Sequence, residues 1–137
     1  MNTSITDCKI ITLNRHHSDR QGDLSVVGNM ENIPFKIKRI YYLYDIPGGA
    51  TRGGHAHKEL YQLIIAVSGS FTVVIDDGNN RQRITLNRPY QALLIVPGIW
   101  RELEDFSSGA VCLVLASSHY EEKDYIRDYT VFLKNKK

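Results

Sequence analysis

Apolar residues along this chain come in short runs rich in Val, Ile, Phe and Tyr, and the breaks between runs carry Gly, Pro, Asn or Asp. The runs are Cys8 to Leu13, Leu24 to Val27, Phe35 to Tyr44, Leu60 to Ser68, Phe71 to Asp76, Gln82 to Leu86, Ala92 to Val96 and Val111 to Ala116. Short strands at this spacing, with turn residues between them, predict an all-β sandwich or barrel. Asp76-Asp77-Gly78-Asn79-Asn80 predicts a hairpin turn, because Gly and Asn accept the positive φ angles of tight turns. Ser68-Gly69-Ser70 reads as a second turn, and Asn87-Arg88-Pro89 and Val96-Pro97-Gly98 end strands. Glu121 to Lys134 is the one segment with a loose helical period, from Ile126, Tyr129, Val131 and Leu133. It predicts a short C-terminal helix.

Alternation within Phe35 to Tyr44 places Phe35, Ile37, Arg39, Tyr41 and Leu43 on one side and Lys36, Lys38, Ile40, Tyr42 and Tyr44 on the other. If Phe35 and Ile37 face the interior, Tyr41 follows them, and the Arg39 guanidinium with it. The length of 137 residues fits a single domain, 1–137, with a core large enough to need no staples. A net charge of +2, with Lys and Arg spread along the chain, gives no footprint for nucleic acid. The cluster Lys134, Lys136 and Lys137 reads as a solvated, fraying terminus. Cys8 and Cys112 lie far apart in strand-like runs, which argues against a disulfide framework or zinc knuckle. The N-terminus lacks a charged start followed by an apolar stretch, and no run reaches membrane-spanning length, so a cytoplasmic protein with no membrane partner is expected.

The chemistry concentrates in Gly49-Ala50-Thr51-Arg52-Gly53-Gly54-His55-Ala56-His57, followed by Gln62 and Gly69. On an extended strand His55 and His57 point to the same side, roughly 6–7 Å apart. Two imidazoles so placed permit either a metal site or an acid–base pair. The spacing resembles the first motif of the cupins, but Gln62 stands where a cupin carboxylate ligand belongs, and Arg101 stands where a later histidine is expected. A fixed guanidinium is a poor neighbour for a divalent cation, so proton chemistry without a metal or other cofactor is the better fit. A neutral histidine can take and return a proton near neutral pH, contributing roughly 10²–10⁴-fold to rate. Arg101 could hold an anionic oxygen or a phosphate, and Trp100 could supply an apolar wall. His16, His17 and His119 read as exposed loop residues, and Asp76 and Asp77 as turn formers.

Several further blocks lie in order between residues 33 and 129: Ile37-Lys38-Arg39-Ile40-Tyr41-Tyr42, Arg52-Gly53-Gly54-His55-Ala56-His57-Lys58, Ile75-Asp76-Asp77-Gly78, Val96-Pro97 with Trp100, Asp105-Phe106-Ser107-Ser108, Val114-Leu115-Ala116-Ser117 and Asp124-Tyr125-Ile126-Arg127-Asp128-Tyr129. With these blocks the chain resembles the dTDP-4-keto-6-deoxy-D-glucose 3,4-ketoisomerases. The resemblance implies a cupin, RmlC-like jelly-roll β-sandwich, antiparallel, with a short C-terminal helix. It implies a shift of the ketone from C4 to C3 through an enediol, without metal or redox cofactor, for the making of 3-amino-3,6-dideoxyhexoses. By motif position His55 matches the base, with His57 and Tyr41 as catalytic neighbours. Arg101, Gln21, Arg39, Arg52 and Trp100 are the implied substrate-binding residues. Gln21, within Asp19-Arg20-Gln21-Gly22-Asp23-Leu24, departs from the Arg or Tyr usual there, while Arg101 resembles the type that yields gluco stereochemistry at C4. The resemblance also implies a homodimer. A 3,5-epimerase, which would want a His–Asp dyad at other spacings, and a non-catalytic sugar-nucleotide-binding cupin are the alternatives.

Overall fold

The computed structural model describes residues 1–136, so Lys137, the last of the three terminal lysines, lies outside the described residues. Among the described residues twelve strands form, β1 (Lys9–Thr12), β2 (Arg15–Ser18), β3 (Gly22–Ser25), β4 (Arg39–Leu43), β5 (Arg52–His57), β6 (Gln62–Ser68), β7 (Phe71–Asp76), β8 (Arg81–Leu86), β9 (Gln91–Ile95), β10 (Trp100–Glu104), β11 (Val111–Ala116) and β12 (Tyr125–Ile126), followed by helix α1 (Tyr129–Asn135). One five-stranded sheet runs β1-β9-β6-β11-β4, a second runs β12-β5-β10-β7-β8, and β2 and β3 make a separate hairpin. Every pairing is antiparallel. The chain therefore forms the antiparallel jelly-roll sandwich with a short C-terminal helix that its sequence implied.

Alternation along the strands builds the layers. On β6 and β9, Ile64, Ala66, Leu93 and Ile95 point between the sheets, where they meet Phe71, Val73, Ile75, Leu86 and Leu103 from the second sheet. Their strand neighbours Leu63, Ile65, Ala92 and Leu94 point outward and are covered by Leu13, Ile33 and Phe35. The outer face of the second sheet is covered by α1, with Ala56, Trp100, Ile126 and Phe132 buried together. No helix among the described residues is long and apolar enough to cross a membrane.

Four expectations need correction. The run Phe35 to Tyr44 forms a strand only from Arg39, and although Tyr41 does face the interior, Phe35 and Ile37 pack in the outer apolar layer. The chain crosses from one face to the other before β4 begins, so the inward turn of Tyr41 does not follow from Phe35. The helix expected over Glu121 to Lys134 is instead a 3-10 turn at Glu122–Asp124, then β12, then α1 from Tyr129. Asp128 sets that start by accepting from the backbone N–H groups of Thr130 and Val131, an N-cap, while cross-strand pairing holds Tyr125 and Ile126 extended. The described end of the basic terminus does not fray: the Lys136 ammonium donates to the Thr3 carbonyl at 2.5 Å. His16 and His17 also lie on a strand, β2, where both rings are exposed.

Candidate active site

The site is assembled by register. Arg101 on β10 stands directly opposite His55 on β5, and Tyr125 on β12 stands opposite His57. Facing them across the interior, Gln62, Ala116 and Arg39 are aligned on β6, β11 and β4. A bulge interrupts the β5–β10 register between the His55–Arg101 and Arg52–Leu103 pairs, at Gly53 and Gly54. Gly53 has φ +75°, and a Cβ there would sit 2.7 Å from Arg101 Nη1, so the close approach of the guanidinium needs a glycine.

Around Arg101 the hydrogen bonds close into a cluster. Its Nε donates to Gln62 Oε1 at 2.7 Å, its Nη2 donates to the Tyr41 hydroxyl at 3.0 Å, and Gln62 Nε2 donates to the same hydroxyl at 3.1 Å. Gln62 thus binds a guanidinium where a cupin carboxylate would bind a metal. The Tyr41 oxygen accepts twice, which leaves its own proton free to donate. Arg101 Nη1 and Arg39 Nε are buried with no partner among the described residues. Unpartnered buried donors in a cleft are what a bound anion or oxyanion satisfies.

The histidines form a second chain. Their Nε2 atoms lie 3.1 Å apart with the rings edge to face, and His57 Nδ1 lies 2.9 Å from Asp124 Oδ2. Burial, with Arg101, His57 and Arg127 adding to it, pushes the His55 pKa down to about 2. Burial also lowers His57, to about 4, with Asp124 opposing part of the shift. Both rings are therefore neutral near neutral pH, the form in which an imidazole accepts a proton.

A pocket of about 350 Å³ opens onto this group, lined by Tyr41, Leu43, Gly53, His55, Leu103, Tyr120, Tyr125 and four arginines, Arg39, Arg52, Arg101 and Arg127. No carboxylate of the described residues lines it. Of the residues expected from sequence, Tyr41, His55, Arg39, Arg52 and Arg101 meet here, with His57 immediately behind His55. Trp100 does not join them. It faces the other side of β10, donates to Glu102 at 2.9 Å and packs on Tyr129 and Phe132. Gln21 is also outside the pocket of its own chain, exposed at the tip between β2 and β3. A larger cavity of about 630 Å³ lies elsewhere, on the outer face of the first sheet, and contains neither histidine of the pair.

Tyr120, Tyr125, Arg127 and Asp124 were not legible as site residues: the last three lie in the segment that read as helix, and Tyr120 directly precedes it. The alternation of Tyr125 and Arg127 about buried Ile126 was the available signal for an edge strand. Asp124 also supplies a His–Asp pair of the kind that the epimerase alternative called for. In this chain, however, His55 stands between that pair and the pocket.

A family model described as "FdtA: WxcM-like, C-terminal" matches residues 6–137. A TDP-4-oxo-6-deoxy-alpha-D-glucose-3,4-oxoisomerase of Aneurinibacillus thermoaerophilus is 48% identical over 116 residues, covering 85% of this chain and 84% of that one. The crystal structure of a 3,4-ketoisomerase from Helicobacter canadensis superimposes with TM-score 0.91 at 48% identity, covering 95% of this chain and 97% of that one. The TDP-quinovose 3,4-ketoisomerase WlaRB of Campylobacter jejuni superimposes with TM-score 0.90 at 45% identity, over 96% of this chain and all of that one (100%). With a pocket of neutral histidine, tyrosine and arginine and with relatives of this closeness, the chain belongs to the FdtA family of WxcM-like proteins.

Proposed function

We propose that this protein is a TDP-sugar 3,4-ketoisomerase that converts TDP-4-keto-6-deoxy-D-glucose to its 3-keto isomer within one cupin domain, residues 1–137. The observation that carries the reading is a neutral base, His55, set beside the Arg101–Gln62–Tyr41 cluster in a pocket with four arginines and no carboxylate. Such a pocket suits a sugar carrying a diphosphate, and the arginines Arg39, Arg52 and Arg127 are its expected contacts. In the proposed reaction His55 removes the C3 proton, and the C3–H electrons form the C3–C4 double bond. The C4 oxygen takes up the displaced charge against Arg101 and the Tyr41 proton, giving an enediol. Loss of the proton on the C3 oxygen then forms the new ketone while a proton is delivered to C4. His57 supports His55 from behind. No step in this sequence calls for a metal or a redox cofactor.

Arg101 and the likeness to a TDP-quinovose enzyme support a gluco product, TDP-3-keto-6-deoxy-D-glucose, ready for an aminotransferase. A nucleotide-sugar substrate places the work in the cytoplasm. The homodimer also belongs to this reading. Ile40, Tyr42, Tyr44 and Val67 are exposed on or beside the outer face of the first sheet, next to the β2–β3 hairpin. A second copy laid on that face would cover it, and Gln21, held away from its own pocket, would be free to reach the partner's. Sedimentation equilibrium is expected to give twice the chain mass, and a monomer at micromolar concentration would remove the dimer.

The test of the function is proton NMR of TDP-4-keto-6-deoxy-D-glucose incubated with the protein in D₂O. The expected result is a 3-keto species with deuterium at C4, in the gluco configuration, and none at C5. Deuterium at C3 and C5 would instead indicate epimerisation, and an unchanged substrate would leave a binding protein.

A further inference from the structure

Asp124 is the residue of this region whose connections determine the most. Its backbone carbonyl accepts from the Lys58 N–H at 2.9 Å and its Oδ1 accepts from the Glu59 N–H at 2.7 Å, while Oδ2 lies 2.9 Å from His57 Nδ1. The turn that follows β5 therefore holds the carboxylate against the ring on β5. A carboxylate only accepts, so His57 carries its proton on Nδ1 and presents a lone pair at Nε2. The Nε2 of His55 lies 3.1 Å from that lone pair and must supply the proton of the hydrogen bond. Neutral His55 has only one ring proton, so its Nδ1 carries the free lone pair, and Nδ1 makes no hydrogen bond among the described residues.

We propose that Asp124 is a positioning residue: acting through His57, it sets the protonation of both rings, making Nδ1 the basic atom of His55 and receiving next to itself the charge that proton abstraction creates. The proton balance is explicit. The C3 proton bonds to His55 Nδ1, the His55 Nε2 proton passes to His57 Nε2, and His57 becomes an imidazolium paired with the Asp124 carboxylate. Because H3 and H4 lie on opposite faces of a gluco ring, C4 takes its proton from solvent on the far face, the C3 hydroxyl returns a proton to the Tyr41 oxygen, and the reverse passage restores both rings and releases the C3-derived proton from Nδ1 to solvent. His55 by itself is a poor place for the charge, since it is buried and opposite Arg101, whereas Asp124 favours the charge on His57. The activity part of this inference rests on the ketoisomerase reading, but the ring protonation does not.

Nitrogen-15 NMR of the histidine-labelled wild-type protein near neutral pH reads the protonation directly. The expected pattern is a protonated Nδ1 on His57, a protonated Nε2 on His55 and a bare Nδ1 on His55. A proton on His55 Nδ1 overturns the proposal, whether or not any variant folds. In Asp124→Asn the carboxamide oxygen can still accept from Glu59, while its NH₂ group donates to His57 and inverts both rings. Turnover is then expected to fall roughly 10²–10⁴-fold, with TDP affinity held within about threefold and partial rescue in Asp124→Glu. Unchanged ring protonation in Asp124→Asn overturns the proposal. So does a parallel loss of TDP affinity and turnover, which is what a purely structural aspartate would show. Wild-type protein that has the expected ring pattern but leaves the keto sugar unchanged supports the positioning role and sinks only the ketoisomerase reading.

Discussion

Between the two sheets, the half around β7 and β8 and the half around β4, β5 and β10 solve opposite problems. In the first, Phe71, Val73, Ile75 and Leu86 are fully buried against apolar neighbours and have no polar side-chain atoms to satisfy. In the second, Gln62 and Arg101 are about as deeply buried, at 1% and 2% exposure, and every hydrogen bond must be accounted for. The apolar half is stable because nothing is left over. The polar half is useful because something is left over: Arg101 Nη1, Arg39 Nε, the Tyr41 proton and a neutral His55. The first half supplies the rigidity that lets the second keep unpaired groups in place.

The difference can be broken from either side. The largest effect is expected from His55→Asn, which removes the base from the polar half: turnover should drop roughly 10²–10⁴-fold or more, while TDP affinity by calorimetry stays near wild type. Equal loss of both would make His55 a binding residue. Phe71→Ala opens the apolar half and is expected to cost about 3–5 kcal/mol of unfolding free energy by urea titration, leaving TDP affinity of the folded fraction unchanged. Gln62→Ala tests the join. It strands Arg101 Nε in the interior, at an expected cost of about 1–3 kcal/mol, and frees the guanidinium to wander, so turnover should fall more than TDP affinity.

Acid sharpens the comparison without mutation. His55 and His57 are lowered to about 2 and about 4, below the ordinary 6.5 of an unfolded histidine. As pH falls below 6.5 the unfolded chain binds protons that the folded chain refuses, so the two rings' contribution to stability, complete above that pH, is lost progressively down to about 4 for His57 and about 2 for His55. Melting temperature against pH should follow that course in wild type and more weakly in His57→Gln. Turnover, which needs the neutral ring, should persist below pH 6.5; an acid limb at the ordinary histidine value would contradict the burial argument. The smallest effect is expected for Trp100→Phe, which loses the hydrogen bond to Glu102 on the far side of β10 and about 1 kcal/mol of stability, with turnover unchanged.

The strands built from continuous apolar runs were legible almost to the residue. Phe71–Asp76 and Val111–Ala116 form as their β-branched runs predict, and the Asp76 to Asn80 turn closes β7 onto β8. Boundaries slipped where apolar residues leave the strand to cover another layer, as with Phe35 and Ile37, and the polar-rich strands β2 and β10 were not legible as strands at all. In the site, the histidine spacing and the exchange of a carboxylate for Gln62 could be read directly from the chain. The use made of Gln62 could not, because its partners Arg101 and Tyr41 come from β10 and β4.

The sequence by itself determined the fold class, the same-side pair of histidines and the glutamine at position 62 in place of a carboxylate, since periodicity and residue chemistry are local properties. Tertiary structure alone decided that Trp100 turns away from Arg101's pocket, that Tyr125 and Asp124 arrive on an edge strand and its preceding turn, and that Asp124 stands behind His57. Those outcomes depend on which strands pair and in what register. A register shift of one residue would turn the same side chains to the opposite face, and no short-range pattern in the chain encodes that choice.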